Sequence, residues 1–205
     1  METTTPAETA SITRVRAANI ISDVFSPPVV TGVLALAIAV RTAPTPQDAI
    51  AWSLVYIGLV CVLPALFIIY MVATGRITDL HVRVRRQRIL PFMVSVICTT
   101  IAFLILQRMG AVIMPELALI GLIEIGIMLL ITLFWQISMH AMSITSVVVL
   151  TAAVFGFPPA LLIAPLIPIV SGARVILRRH TVAQVIAGGA VGACLSIVLF
   201  IALVG

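Results

Sequence analysis

The sequence has no lysine: all twelve of its basic residues are arginine. It is poor in charge altogether, at 9%, and its three cysteines form no Cys-x-x-Cys pair. Each absence excludes something. The chain is 62% hydrophobic with a mean hydropathy of +1.28. So few charges cannot clothe that much apolar surface in water, so lipid is the solvent for most of the chain. Cys61, Cys98 and Cys194 lie inside apolar runs and read as small packing residues. No HxxxH or HxxE pairing links the histidines, so neither a metal site nor a cofactor is expected. The opening METTTPAETASITRVR lacks the charged-then-apolar layout of a cleaved signal peptide. Arginine keeps its charge and forks two donors onto phosphate oxygens. With a net charge of +5, the expected partners are membrane lipids and a phosphate-bearing ligand. Nucleic acid is not among them.

Hydropathy predicts an all-α integral membrane protein, a bundle of six or seven transmembrane helices in one domain over residues 12–205. Residues 1–11, rich in Thr, Ala and Glu, predict a disordered tail. A mixed segment from Ile12 to Phe25 predicts an interfacial helix, and Ser26-Pro27-Pro28 restarts the chain into a first span ending near Val40. Further spans are expected over Ala49–Ala73, Ile89–Leu106, Ala111–Trp135, Met142–Phe155, Ala160–Ala173 and Thr181–Val204. Pro165 and Pro168 predict a bent or broken helix in the sixth. With seven spans, the ends alternate sides, and ten arginines fall on one face against Arg41 and Arg108 on the other. The positive-inside rule puts the basic face of a multi-pass cell-membrane protein in the cytoplasm. The same count gathers His81, His140 and His180 on that face.

Within this hydrocarbon chain the stretch from Ser171 to Gly189, SGARVILRRHTVAQVIAGG, stands out. Arg174, Arg178 and Arg179 precede His180, and Gln184 follows it by four residues, one helical turn away. Cations, an imidazole and a polar orienter at a helix entry suit an anion. Two histidines in one site separate a nucleophile from an acid near neutral pH. Gly188 and Gly192 form a GxxxG pair that predicts a close helix contact. Glu116, after Pro115, reads as solvated near a membrane surface. Glu124, deeper in the same span, is a candidate for a hydrogen-bonded carboxyl within the bundle.

These segments resemble the type 2 phosphatidic acid phosphatases, whose signatures are KxxxxxxRP, PSGH and SRxxxxxHxxxD. Ala173-Arg174-Val175 followed by His180 keeps the third spacing, with Gln184 in the aspartate's place. Ser138-Met139-His140 stands for Ser-Gly-His. Arg76 and Arg83 keep the first spacing with arginine for lysine, and Arg88, closely followed by Pro91, is the alternative anchor. The resemblance implies a metal-independent lipid phosphatase. His180 would attack phosphorus and form a phosphohistidine, and His140 would protonate the leaving oxygen. Arg76 or Arg83, Arg88 and Arg174 would hold the phosphoryl oxygens with Ser138, Arg179 would be an accessory, and Asp79 would be a source for the carboxylate that Gln184 lacks. The substrate would be a lipid or prenyl phosphate or diphosphate. A glutamine at position 184 fixes the imidazole tautomer but brings no charge. A second expectation is therefore a catalytically silent relative that binds or moves an anionic lipid.

Overall fold

The computed structural model describes residues 6–80, 82 and 84–204. Ten α-helices occur among them, and no strand: α1 (Pro6–Val24), α2 (Pro27–Thr42), α3 (Pro46–Tyr56), α4 (Leu63–Ala73), α5 (Ile89–Arg108), α6 (Met114–Phe134), α7 (Met139–Phe155), α8 (Phe157–Ile163), α9 (Leu166–Ile176) and α10 (Val182–Val204). Five segments are long and apolar enough to cross a membrane: Pro46–Ala73, Arg85–Arg108, Met114–Phe134, Phe157–Ile176 and Val182–Val204. Ile12–Val24 and Pro27–Thr42, bent by 43°, make a sixth if they are one broken span. The protein is thus an all-helical, multi-pass membrane chain. Helix α1 begins at Pro6, so part of the expected tail lies within it, while residues 1–5 fall outside the described residues.

The prolines set the irregularities. Pro27 and Pro28 lack the N–H groups that would continue α1, and the chain restarts when Val29 and Val30 donate to the Ser26 carbonyl. Between α3 and α4 the helix widens into a π-helical turn, Ile57–Val62, with Leu63 N–H donating to Gly58 O. Pro64, just beyond, cannot supply a regular backbone bond. Pro165 separates α8 from α9, as the sequence predicts.

Helix α7 is the axis of the bundle. It is only 17 residues long, yet Ala141 through Val147 are all buried, with Leu150 and Thr151. It packs on α10, α8, α2 and α9. The GxxxG pair makes the α7–α10 contact possible. A Cβ at Gly188 would collide with the Ser138 carbonyl, and one at Gly192 would lie 2.5 Å from Met142 O and 2.9 Å from Ser146 Oγ. Gly192→Ala must therefore push two backbones apart. It should lower stability by about 1–3 kcal/mol, read as a drop in the detergent melting temperature. Gly172→Ala, where nothing lies within 4 Å, should leave it unchanged or slightly raised.

The two ends of the bundle differ in chemistry. At one end Arg41 lies over the Phe155 ring, 5.6 Å from its centroid, and Thr42 Oγ1 donates to Val112 O. That end carries Glu116, and here the structure corrects the sequence reading. The carboxylate is half-buried beside an apolar crevice lined by Ile38, Ile120, Leu150, Val154 and Phe200, and its Oε2 is buried without a hydrogen-bond partner. The other end gathers the start of α5, the close of α6, the starts of α7 and α10, and the close of α9.

Candidate active site

Three local devices shape that second end. The loop after α4 folds back when Thr78 N–H and Oγ1 both donate to Gln87 Oε1, at 3.2 and 3.0 Å. Arg88, in a 3-10 turn (Arg85–Arg88) leading into α5, is 8% exposed and donates from Nε to Val82 O at 2.7 Å. Val82 has a φ of 44°, a conformation that β-branched residues avoid, and this bond helps to hold it. Arg85 Nη1 donates to Phe134 O at 2.8 Å, satisfying a carbonyl at the end of α6.

Ser138 starts α7 as its N-cap, its Oγ accepting from Ala141 N–H. Its own N–H donates to Gln184 O at 3.0 Å, which ties the start of α7 to the start of α10. His140 is therefore in the first turn of α7, half-buried, with Nε2 3.2 Å from Ser22 O. Ser138 is fully buried and its hydroxyl serves the cap.

The start of α10 is a capping box. Gln184 N–H donates to Thr181 Oγ1 at 3.3 Å, and Gln184 Oε1 accepts from Thr181 N–H at 3.0 Å. The same Oε1 lies 3.3 Å from His180 Nδ1. An amide oxygen only accepts, so Nδ1 carries the proton and the Nε2 lone pair is left free. The His180 N–H approaches Arg174 O at 3.3 Å, fixing the backbone of the histidine against the close of α9.

Arg174 is at the centre. It is 2% exposed, and its Nη1 donates to Ser22 Oγ at 2.6 Å. Arg179 Nη2 donates to Asn19 Oδ1 at 3.3 Å. An unbroken path of contacts runs from the His140 ring through Ser22 and Arg174 to His180. The electrostatics are one-sided. Burial pushes the pKa of His180 down to about 4, aided by the guanidinium groups of Arg174, Arg88 and Arg179 and opposed by the bond to Gln184. His180 is therefore neutral through the physiological range, in a positive field. Nuclear magnetic resonance of histidine-labelled protein in nanodiscs should find one imidazole still neutral at pH 5.5, and Arg174→Met should raise its pKa.

The sequence candidates divide. His140, His180, Gln184, Arg88, Arg174, Arg179 and Ser138 come together at this end. Arg76 is exposed and is not among the cations acting on His180. Asp79 acts on Arg88 rather than on His180. Arg83 and His81 lie outside the described residues. Neither a family model nor any curated protein or solved structure matches this chain. Ser22 and Asn19 are the residues that sequence reasoning missed. They are three residues apart, beside Ala18, so one face of α1 is small and polar, a pattern that marks a packing face but not what packs on it. Glu124 lies apart from the cluster, mid-way along α6, accepting from Ser146 Oγ at 2.7 Å and Ser196 Oγ at 3.0 Å.

Proposed function

We propose that the chain is a membrane phosphatase that hydrolyses a lipid or isoprenyl phosphate or diphosphate, as the type 2 phosphatidic acid phosphatases do. The observation that carries this reading is a buried, neutral histidine with its Nδ1 proton held by Gln184 and three guanidinium groups acting on it. Phosphoryl transfer asks for positioning and charge neutralisation more than for covalent machinery. Arg88 and Arg174 hold the phosphoryl oxygens, with Arg179 beside them. The free Nε2 of His180 attacks phosphorus, and the P–O bond to the lipid breaks as His140 donates a proton to the departing oxygen. Water then attacks the phosphohistidine, His140 takes its proton, and inorganic phosphate leaves.

In this reading α7 is a seventh crossing, short because it is shielded from lipid by its neighbours. At ~1.5 Å per residue it is about 25 Å long, enough to connect the His140 end with the Arg41 end. The arginine-rich face is cytoplasmic.

The purified protein should release inorganic phosphate, with chelator present, from at least one of phosphatidate, phosphatidylglycerol phosphate and prenyl mono- or diphosphates. No release across that panel would remove the hydrolase reading. One observation favours a second reading. Gln184 brings no charge to an imidazole that becomes cationic, which suits a protein that binds an anionic lipid without turnover. Saturable binding with no release would establish it.

A further inference from the structure

We infer that α1 is a displaceable strap closed over the arginine–histidine cluster, with Ser22 Oγ standing on Arg174 where a phosphoryl oxygen of the ligand would bind. The identity of that ligand rests on the phosphatase reading; the movement of α1 does not.

Three polar contacts tie α1 to the cluster. Ser22 Oγ accepts from Arg174, Ser22 O faces the His140 ring, and Asn19 Oδ1 accepts from Arg179. Two of these place neutral side-chain oxygens on guanidinium groups, positions that an anion would contest. With Arg174 2% and His180 6% exposed, a phosphoryl group reaches neither until some element moves aside. Helices α7 and α10 are poor candidates, being locked together through Gly188 and Gly192. Helix α1 is held far less firmly. From Ile12 to Val24 only Ala18 and Ser22 are buried, one turn apart, and the chief packing partner is α9. The strap also has a hinge. The chain turns 43° between α1 and α2, Ser26 is extended at φ −67°, ψ 151°, and neither Pro27 nor Pro28 has an N–H to stiffen the joint.

The exchange is favourable in kind. A hydrogen bond from a guanidinium to a phosphate oxygen is charge-assisted and roughly twice as strong as one to a neutral hydroxyl. Once released, α1 has somewhere to go. Ile12, Val15, Ile20 and Val24 are exposed, as are Arg14 and Arg16, so the helix can settle at the lipid headgroup boundary.

The test uses the full chain in vesicles, with Cys61, Cys98 and Cys194 replaced by alanine and Ala18→Cys as reporter. Labelling of residue 18 by a polar maleimide should be slow in phosphatidylcholine and several-fold faster when phosphatidate is added. Phosphatidylglycerol, anionic but without a terminal phosphate, should leave the rate low. No acceleration with phosphatidate would overturn the strap. Equal acceleration by phosphatidylglycerol would overturn the exchange at Arg174 and place the trigger on surface charge. Should the reporter variant fail to fold, Ser22→Ala decides by steady-state kinetics. Losing the competing hydroxyl should lower KM about fivefold, the weight of one hydrogen bond, whereas Ser22→Thr, which keeps a hydroxyl, should leave KM near the parent's. A fall in kcat would make Ser22 a positioning residue and end the proposal. The two readings fail separately: phosphate release without accelerated labelling sinks only the strap. Accelerated labelling without release sinks only the phosphatase.

Discussion

Replacing His180 by alanine is expected to reduce phosphate release by roughly a thousandfold or more. Removing a covalent nucleophile outright has costs of that order or larger, because the remaining site only binds and polarises its substrate. The backbone should survive the change. The approach of the residue-180 N–H to Arg174 O and the capping box of Thr181 and Gln184 need no imidazole at position 180. Gel-filtration behaviour and melting temperature should therefore stay close to the parent's. His140→Ala should cost less, about 10²–10⁴-fold, as expected of a general acid, and least with a diphosphate, whose leaving group needs little protonation. Equal losses at both positions, for every substrate, would argue that the two imidazoles act only in binding.

The second large effect is a gain. Gln184→Glu keeps the length of the side chain, so its oxygen still reaches both Thr181 N–H and His180 Nδ1. What it adds is a negative charge beside an imidazole that becomes cationic on attack. In Asp–His pairs elsewhere, converting the acid to an amide costs ~10⁴-fold, mostly through the wrong tautomer. Here the glutamine already holds the tautomer, so only the charge is missing, and a gain of about 10–100-fold is expected. Gln184→Asp, one methylene shorter, should gain less. The pH dependence should move too. A neutral His180 is the reactive form, and it is lost as pH falls through its pKa. In the parent that pKa is near 4, so the acid limb of kcat/KM lies well below 6.5. A carboxylate at 184 opposes the three guanidinium groups and raises the pKa, so the variant should lose rate at higher pH than the parent. An unchanged rate would mean that the imidazolium charge limits nothing.

Much of this was legible in the sequence because a membrane chain has few ways to hide its pattern. The long spans follow from hydropathy alone, the α8–α9 break from Pro165, and a close helix contact, though not its partner α7, from Gly188 and Gly192. That His140 and His180 share an end is what two passes between them, by α7 and by α8–α9, would give, although α7 is shorter than the segments long enough to cross a membrane. Other features depend on tertiary packing. Five arginines lie between Arg76 and Arg88, and spacing did not show which turns inward. Arg88 does, because it leads directly into α5 and finds the Val82 carbonyl, whereas Arg76 stays exposed. Glu116 reads as a surface acid, but packing against Phe200 and Leu150 puts it at an apolar crevice. Ser22 lies in the mixed segment from Ile12 to Phe25 that reads as an interfacial helix. Its importance comes from the fold of α1 back onto α9, which no local pattern encodes. The Thr181-x-x-Gln184 capping box was readable, and it explains why a glutamine serves as orienter: one oxygen both starts the helix and faces the imidazole.

The most direct measurement is to trap the intermediate. Purified protein mixed briefly with a hydrolysable lipid phosphate, quenched in alkali to preserve phosphoramidate, and digested for mass spectrometry should carry one phosphoryl group, on His180. The label should be absent from His180→Ala and, with a prenyl diphosphate whose leaving group needs little protonation, more abundant in His140→Ala, where only breakdown of the intermediate is slowed. Phosphate release with label on another residue, or with no label in any of the three proteins, would contradict the assignment of His180 as the group that attacks phosphorus.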